Sequence, residues 1–276
     1  MEKITYKKSF TAKMVLAGND TISVYQIIKD LCSTHKDVRT RLSFNYETIN
    51  YKRNKIGVMK IARKNLSLYL NLEPKDFIGS KYKFEDVSDK KSYENYKMML
   101  KLKSKKSIKD ACELLELMFK NVGATTIVEA LDIDYNDVFY SRSFEELVLQ
   151  GFIKKYVRKK IDGKTVIVEE VPKICHVNFT AKLLYEATNE ADNLYIITSY
   201  DNWNLDKAIL MKKNADGSFT ASCDYPLGTK LEFKICRSKA WTDVEKGIWK
   251  EEIVNHNYVL IDEDKNIEDL IYNFRQ

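Results

Sequence analysis

From Ile174 onward the chain breaks into short apolar runs separated by turn signals, and this rhythm restricts the segment to an all-β fold. The runs are Val177–Ala181, Leu194–Ser199, Phe219–Cys223, Leu231–Cys236 and Tyr258–Ile261. Asn214-Ala215-Asp216-Gly217 and Pro226-Leu227-Gly228 stand between them. Runs this short match strands, and Gly, Pro and Asn supply the reversals. Their spacing predicts a β-sandwich over 174–276. At the end of the chain Ile267, Leu270, Ile271 and Phe274 keep helical spacing, which predicts a short terminal helix over 266–274.

The first part reads as an α+β domain, residues 1–123. Phe10, Ala12, Met14 and Leu16 alternate as on a strand, and Ile22, Tyr25, Ile28 and Leu31 follow helical spacing. Ile56–Ile61, Leu66–Leu72 and Met98–Leu102 read as strands. Residues 107–122 read as a helix capped by Ser107 with Asp110 and stopped by Gly123. Residues 124–173 form a structured bridge. In it Ser143-Phe144-Glu145-Glu146 opens a short helix, and Asp162-Gly163 turns a hairpin between Ile153–Lys160 and Lys164–Glu169.

Charge divides the chain in the same place. Residues 1–122 carry 26 Lys and Arg against 14 Asp and Glu, whereas the remainder carries 20 against 26. Opposite signs suggest separate units. The five cysteines are scattered, with no CxxC pair and no Cys/His cluster, so neither a disulfide framework nor a zinc site is expected. The opening residues alternate apolar with polar, unlike a secretory leader, and a cytoplasmic setting is expected unless a leader lies outside this sequence.

All three tryptophans, Trp203, Trp241 and Trp249, lie in the last third of the chain. Trp203 sits between Asn202 and Asn204, and Trp241 precedes Thr242 and Asp243. Large rings in polar loops ask for a partner. Sugars suit them, because the C–H face of a pyranose stacks on an aromatic ring while Lys and Asn reach its hydroxyls. Two rings at an angle would follow the curve of an α-1,4-glucan. Core packing is the alternative for each ring, and for Trp249 the choice is an extra subsite or packing on the terminal helix. Lys234 alternates with Phe233 and Ile235 and is expected to point outward, as a ligand contact or a plain solvated lysine.

The segments LYIITSYDNWN (194–204), NADGSF (214–219), YPLGTKLEFKI (225–235), KAWTDVEKG (239–247) and EEIVNHNYVL (251–260) occur in one order and spacing. Through them region 174–262 resembles the starch-binding and glycogen-binding modules of glucoamylases and of the β subunit of AMP-activated kinase. The resemblance implies an Ig-like β-sandwich with a shallow site in which Trp203 and Trp241 stack on the sugar, Lys234 bonds hydroxyls and Asn255 contributes an amide. Val254 and His256 stand where that family commonly has Pro and often Arg.

A non-catalytic binder of α-glucan (glycogen, starch, maltooligosaccharides) is therefore expected, with no cofactor. No GxSxG, P-loop, GxGxxG or HExxH motif occurs, and His35, His176 and His256 lie in different regions. KKSFTAKMVLAG, KDVRTRLSF, NLSLYLNLEPKDF and KYKFEDVSD resemble a domain of uncharacterised bacterial proteins, which implies no site residues. The partner of the first domain is left unnamed. The alternative reading is a nucleic-acid or acidic-protein binder, with Lys52, Arg53, Lys55, Arg63 and Lys64 near Tyr46 and Tyr51 as its basic face and the sandwich as scaffold.

Overall fold

The computed structural model describes residues 3–127, 135–161, 164–184 and 191–275. The protein is mostly β-sheet and divides into two compact units, residues 1–169 and 170–276.

The first unit runs β1 (Lys3–Lys8), α1 (Phe10–Ala17), α2 (Asn19–Ser33), β2 (Val38–Leu42), β3 (Glu47–Tyr51), β4 (Asn54–Ala62), β5 (Asn65–Leu70), β6 (Glu85–Asp86), β7 (Met98–Leu102), α3 (Lys105–Asn121), α4 (Tyr135–Val138), α5 (Phe144–Leu149), β8 (Ile153–Ile161) and β9 (Lys164–Glu170). Six strands form a sheet ordered β2-β3-β4-β5-β7-β6. Leu66, Leu68 and Leu70 of β5 share one face and are buried with Phe10, Met14, Tyr25 and Ile28 and with Leu114, Leu115 and Phe119 of α3. Beside that core, Glu47 accepts hydrogen bonds from Tyr25 Oη at 2.6 Å and Lys29 Nζ at 2.7 Å, which satisfies a buried carboxylate. β8, from the segment read as a bridge, pairs with β1 at the start of the chain. The Asp162-Gly163 turn lies outside the described residues.

Phe10–Leu16 is a helix and not the strand its alternation predicts. Ser9 caps α1, its hydroxyl accepting from the Ala12 N–H at 3.0 Å. Phe10 and Met14, one turn apart, enter the main core, while Ala12 enters a second cluster with Leu147 and Ile153. A helix buried on two sides thus produces a period of two. α3 also starts earlier than expected. Ser104 is its cap, in a reciprocal box with Ser107.

The second unit contains β10 (Ile174–Leu183), β11 (Leu194–Thr198), β12 (Ile209–Lys213), β13 (Phe219–Pro226), β14 (Lys230–Cys236), β15 (Glu245–Lys246), β16 (His256–Val259), β17 (Asp264–Ile271) and β18 (Asn273–Phe274). Seven strands follow the order β16-β14-β11-β12-β13-β10-β17, and β15 pairs with β18. β14 and β10 are four places apart, about 19 Å on a flat sheet at about 4.8 Å per strand. Yet the rings of Phe179 on β10 and Phe233 on β14 lie 5.2 Å apart. The sheet therefore folds back on itself and encloses Val177, Phe179, Ile196, Phe219, Phe233 and Ile267.

The terminal helix expected over 266–274 is absent. β17 runs parallel to β10, pairing Phe179 with Ile267 and Leu183 with Ile271. A strand would show apolar residues at 267, 269 and 271, but the middle position is Asp269. That one inward-side carboxylate disguises the alternation, and exposed Leu270 completes a false helical stripe.

Candidate functional site

The outer face of β11 and β14 carries the site. Ile197 lies opposite Lys234 in the β11–β14 pair, and Ile197, Cys236 and Val244 are buried there as a small apolar floor. Trp203 and Leu205 pack against that floor.

Trp203 is presented by a strained turn. A 3₁₀ turn, Ser199–Asp201, follows β11 and ends at Asn202 in the left-handed region. The Asn202 N–H donates to the Ser199 carbonyl at 3.0 Å, and the Trp203 N–H to the Thr198 carbonyl at 2.8 Å. This is a Schellman pattern in which Asn replaces the usual Gly. Trp203 itself has φ 57°, which is uncommon for a bulky side chain. Such strain persists only where its surroundings over-determine it. Here those are the two hydrogen bonds and the apolar floor.

Trp241 opens a second 3₁₀ turn, Trp241–Asp243, in the loop after β14. The loop is closed by the Arg237 N–H donating to the Asp243 carbonyl at 3.0 Å and by a Cys236–Val244 bridge. The Asp243 carboxylate accepts from Ser238 Oγ and meets the Arg237 guanidinium at 3.2 Å. The Ser238 hydroxyl, with help from that guanidinium, holds its pKa below the ordinary carboxylate value. The chain terminus secures the same loop. The Arg275 N–H donates to the Val244 carbonyl at 2.9 Å, and its guanidinium donates to the Trp241 carbonyl at 3.4 Å and pairs with Glu252. Lys246 and then Arg275 pull the Glu252 pKa down.

The two indoles end with centroids 6.1 Å apart and planes at 57°. They line an open cleft of about 400 Å³ with Lys234, Val244, Glu252, Asn255 and Arg275. Trp241 remains 37% exposed and Trp203 is partly buried. All four residues named from the sequence, Trp203, Lys234, Trp241 and Asn255, thus meet at one cleft.

Lys234 differs from the expectation. It lies on the outer face as its alternation predicts, but it is only 7% exposed. The 253–254 segment covers it, and Nζ donates to the carbonyls of Ile253 at 2.6 Å and Val254 at 3.0 Å. Burial lowers its pKa, which Glu245 and Glu252 partly offset. Two of its three protons are therefore committed to shaping the loop. Asn255 is exposed and donates to Glu232 at 2.9 Å, and its amide oxygen is an acceptor. Trp249 is 84% exposed and does not line this cleft, and the segment expected to offer it a helix is β17 and β18 instead. Glu252 lies in the EEIVNHNYVL segment near the expected site, whereas Arg275 had no sequence signal.

No family model matches the chain, and no curated protein matches it in sequence. Among solved structures, 38% of the chain is similar to a glycoside hydrolase family 15 glucoamylase from Hypocrea jecorina, with 14% identity and a TM-score of 0.30. A further match, over 44% of the chain, is to the gamma-CGTase from alkalophilic Bacillus clarkii, with 19% identity and a TM-score of 0.28. The matched parts span 18% and 19% of those two chains.

Four of the basic residues named from the sequence lie at two turns of the first unit. Lys52 and Arg53 occupy the β3–β4 turn, and Arg63 and Lys64 the β4–β5 turn. Nine-residue β4, eight steps of ~3.3 Å, separates the two turns by about 26 Å. Lys52 lies over Tyr51 and Lys55 over Tyr46, so these cations have local aromatic partners.

Proposed function

We propose that the second unit is a non-catalytic module that binds α-1,4-glucan across the Trp203–Trp241 cleft. The observation that carries this reading is the pair of indoles, 6.1 Å apart and tilted 57°, standing on an open surface. Coplanar rings would suit a flat ribbon, whereas an angled pair suits a chain that curves. Sugar hydroxyls find the remaining Lys234 proton, the Asn255 amide oxygen and the Arg275 guanidinium around the rings. The order of motifs in 174–262, which resembles starch-binding and glycogen-binding modules with an Ig-like sandwich, supports the same reading.

The charges support binding without hydrolysis. Hydrolysis requires two carboxylates flanking the scissile bond. Glu252, the carboxylate that lines the cleft, is engaged by Lys246 and Arg275. In this reading the first unit is the cargo, docked on glycogen or a similar polymer as an adaptor or regulator.

Affinity electrophoresis in glycogen-containing gels tests the proposal. The wild-type chain is retarded and is released by maltoheptaose, and the Trp203→Ala/Trp241→Ala variant migrates as in plain gel. Equal retardation of folded variant and wild type would remove the site.

A further inference from the structure

A second cleft, of about 350 Å³, opens elsewhere on the same unit, lined in part by Glu245, Ile253, His256, Asp269 and Tyr272. Three potential ligands converge there from three strands: Glu245 on β15, His256 at the start of β16 and Asp269 on β17. The imidazole Nε2 lies 3.1 Å from each oxygen of Glu245 and 2.9 Å from Oδ2 of Asp269. One ring nitrogen carries at most one proton, which cannot serve three oxygens well. Oδ2 of Asp269 is closed to solvent and accepts no well-aligned hydrogen bond. Glu245 is 2% exposed and accepts the Ile235 N–H at 2.7 Å, so backbone and packing hold it in place.

Charge also leaves this cluster incomplete. Two carboxylates facing one imidazolium retain a net negative charge in a largely buried place, which is costly. Two cations lie beside the cluster, but Lys234 directs protons to the Ile253 and Val254 carbonyls, and Lys246, which lines the same cleft, pairs with Glu252; the ligand oxygens thus face the imidazole as their direct cationic partner. A divalent cation with a neutral imidazole would balance both carboxylates. The spacings are close to those of a ligand set. Donors about 2.1 Å from a metal stand about 3.0 Å apart at right angles and about 3.4 Å apart at the tetrahedral angle; the ring nitrogen lies 2.9–3.1 Å from the carboxylate oxygens, and the ligand atoms of all three residues lie within 4.8 Å of one another.

We propose that Glu245, His256 and Asp269 bind a divalent transition-metal ion of the Zn²⁺ type. One imidazole and two carboxylates suit such ions better than Mg²⁺, and the cleft leaves room for water ligands. The ion ties β15, β16 and β17 together. Burial disfavours the imidazolium, but Asp269 and Glu245 outweigh it and raise the His256 pKa to about 9, so the metal competes with a proton. This site stands independently of the glucan reading.

Calorimetry on the full chain, stripped with chelator, tests the site with Zn²⁺ and with Mg²⁺ as comparison. One Zn²⁺ binds per chain, and Mg²⁺ binds at least 100-fold more weakly. His256→Gln and Asp269→Asn each weaken Zn²⁺ binding tenfold or more. His176→Gln, which removes an exposed pair with Asp224, leaves it unchanged. X-ray absorption at the zinc edge of the wild-type complex shows imidazole and oxygen donors without sulfur, which covers the case of variants that do not fold. No stoichiometric binding, wild-type affinity in folded His256→Gln, or a thiolate signal would each overturn the proposal.

Discussion

Trp241→Ala is the cleanest perturbation of the proposed sugar platform, because its ring projects from the loop while Trp203 also packs on the floor of Ile197, Cys236 and Val244. Trp241 is 37% exposed. For an aromatic residue of about 250 Å² this is about 90 Å² of accessible surface. A pyranose covering half of it removes about 45 Å² from water on each partner. At about 25 cal/mol per Å² the stack contributes roughly 2 kcal/mol. Loss of the ring should therefore raise the Kd for maltoheptaose about 30-fold. Isothermal titration calorimetry reads the change, with weak affinities followed by competition. Trp249→Ala, which removes an 84% exposed ring outside the cleft, serves as the control and should change Kd less than twofold. A change below threefold for a folded Trp241→Ala variant would refute the stacking argument.

Other consequences follow from the supports around the rings. Lys234→Met removes a charged donor from two carbonyls and should destabilise the second unit by about 2 kcal/mol, measured by urea unfolding; an unchanged midpoint would contradict its structural role. Arg275→Ala should weaken maltoheptaose binding about fivefold through the released Trp241 loop, with partial recovery in Arg275→Lys; the two Kd values check this. Asp243 and Glu252 have folded pKa values below 3.8 and 4.5, so the stabilisation they give the loop is complete above those values and is lost as pH falls through the lowered folded ones. Maltoheptaose affinity should therefore be equal at pH 6 and pH 8 and decline below about pH 4; a decline between pH 7 and pH 6 would point to another group.

Five strands of the second unit, β10, β11, β13, β14 and β16, were legible as short apolar runs between turn signals. Leu231, Phe233 and Ile235 alternate as the period of two demands. Both indoles were legible because Asn and Asp surround them in loops. Asp269 hid β17, since a single ionic residue at an inward position erases a pattern built on hydrophobicity. The terminal clasp was illegible for another reason. β15 and β18 are two residues each and pair across 27 and 29 positions, and such short partners carry no periodicity. Arg275 could not be assigned to a cleft 34 residues away. The burial of Lys234 was hidden in the same way. Alternation set its face, but a distant segment of loop covers that face. The strain at Trp203 has no sequence signal at all, because nothing in Asn202-Trp203-Asn204 requires a left-handed tryptophan.

The three indole N–H resonances of the chain offer a direct reading of where a glucan sits. In a ¹H–¹⁵N spectrum titrated with maltoheptaose, the signals of Trp203 and Trp241 should shift together with one Kd while that of Trp249 stays in place. Movement of Trp249 alone, or no movement in any of the three, would contradict the cleft as the sugar site.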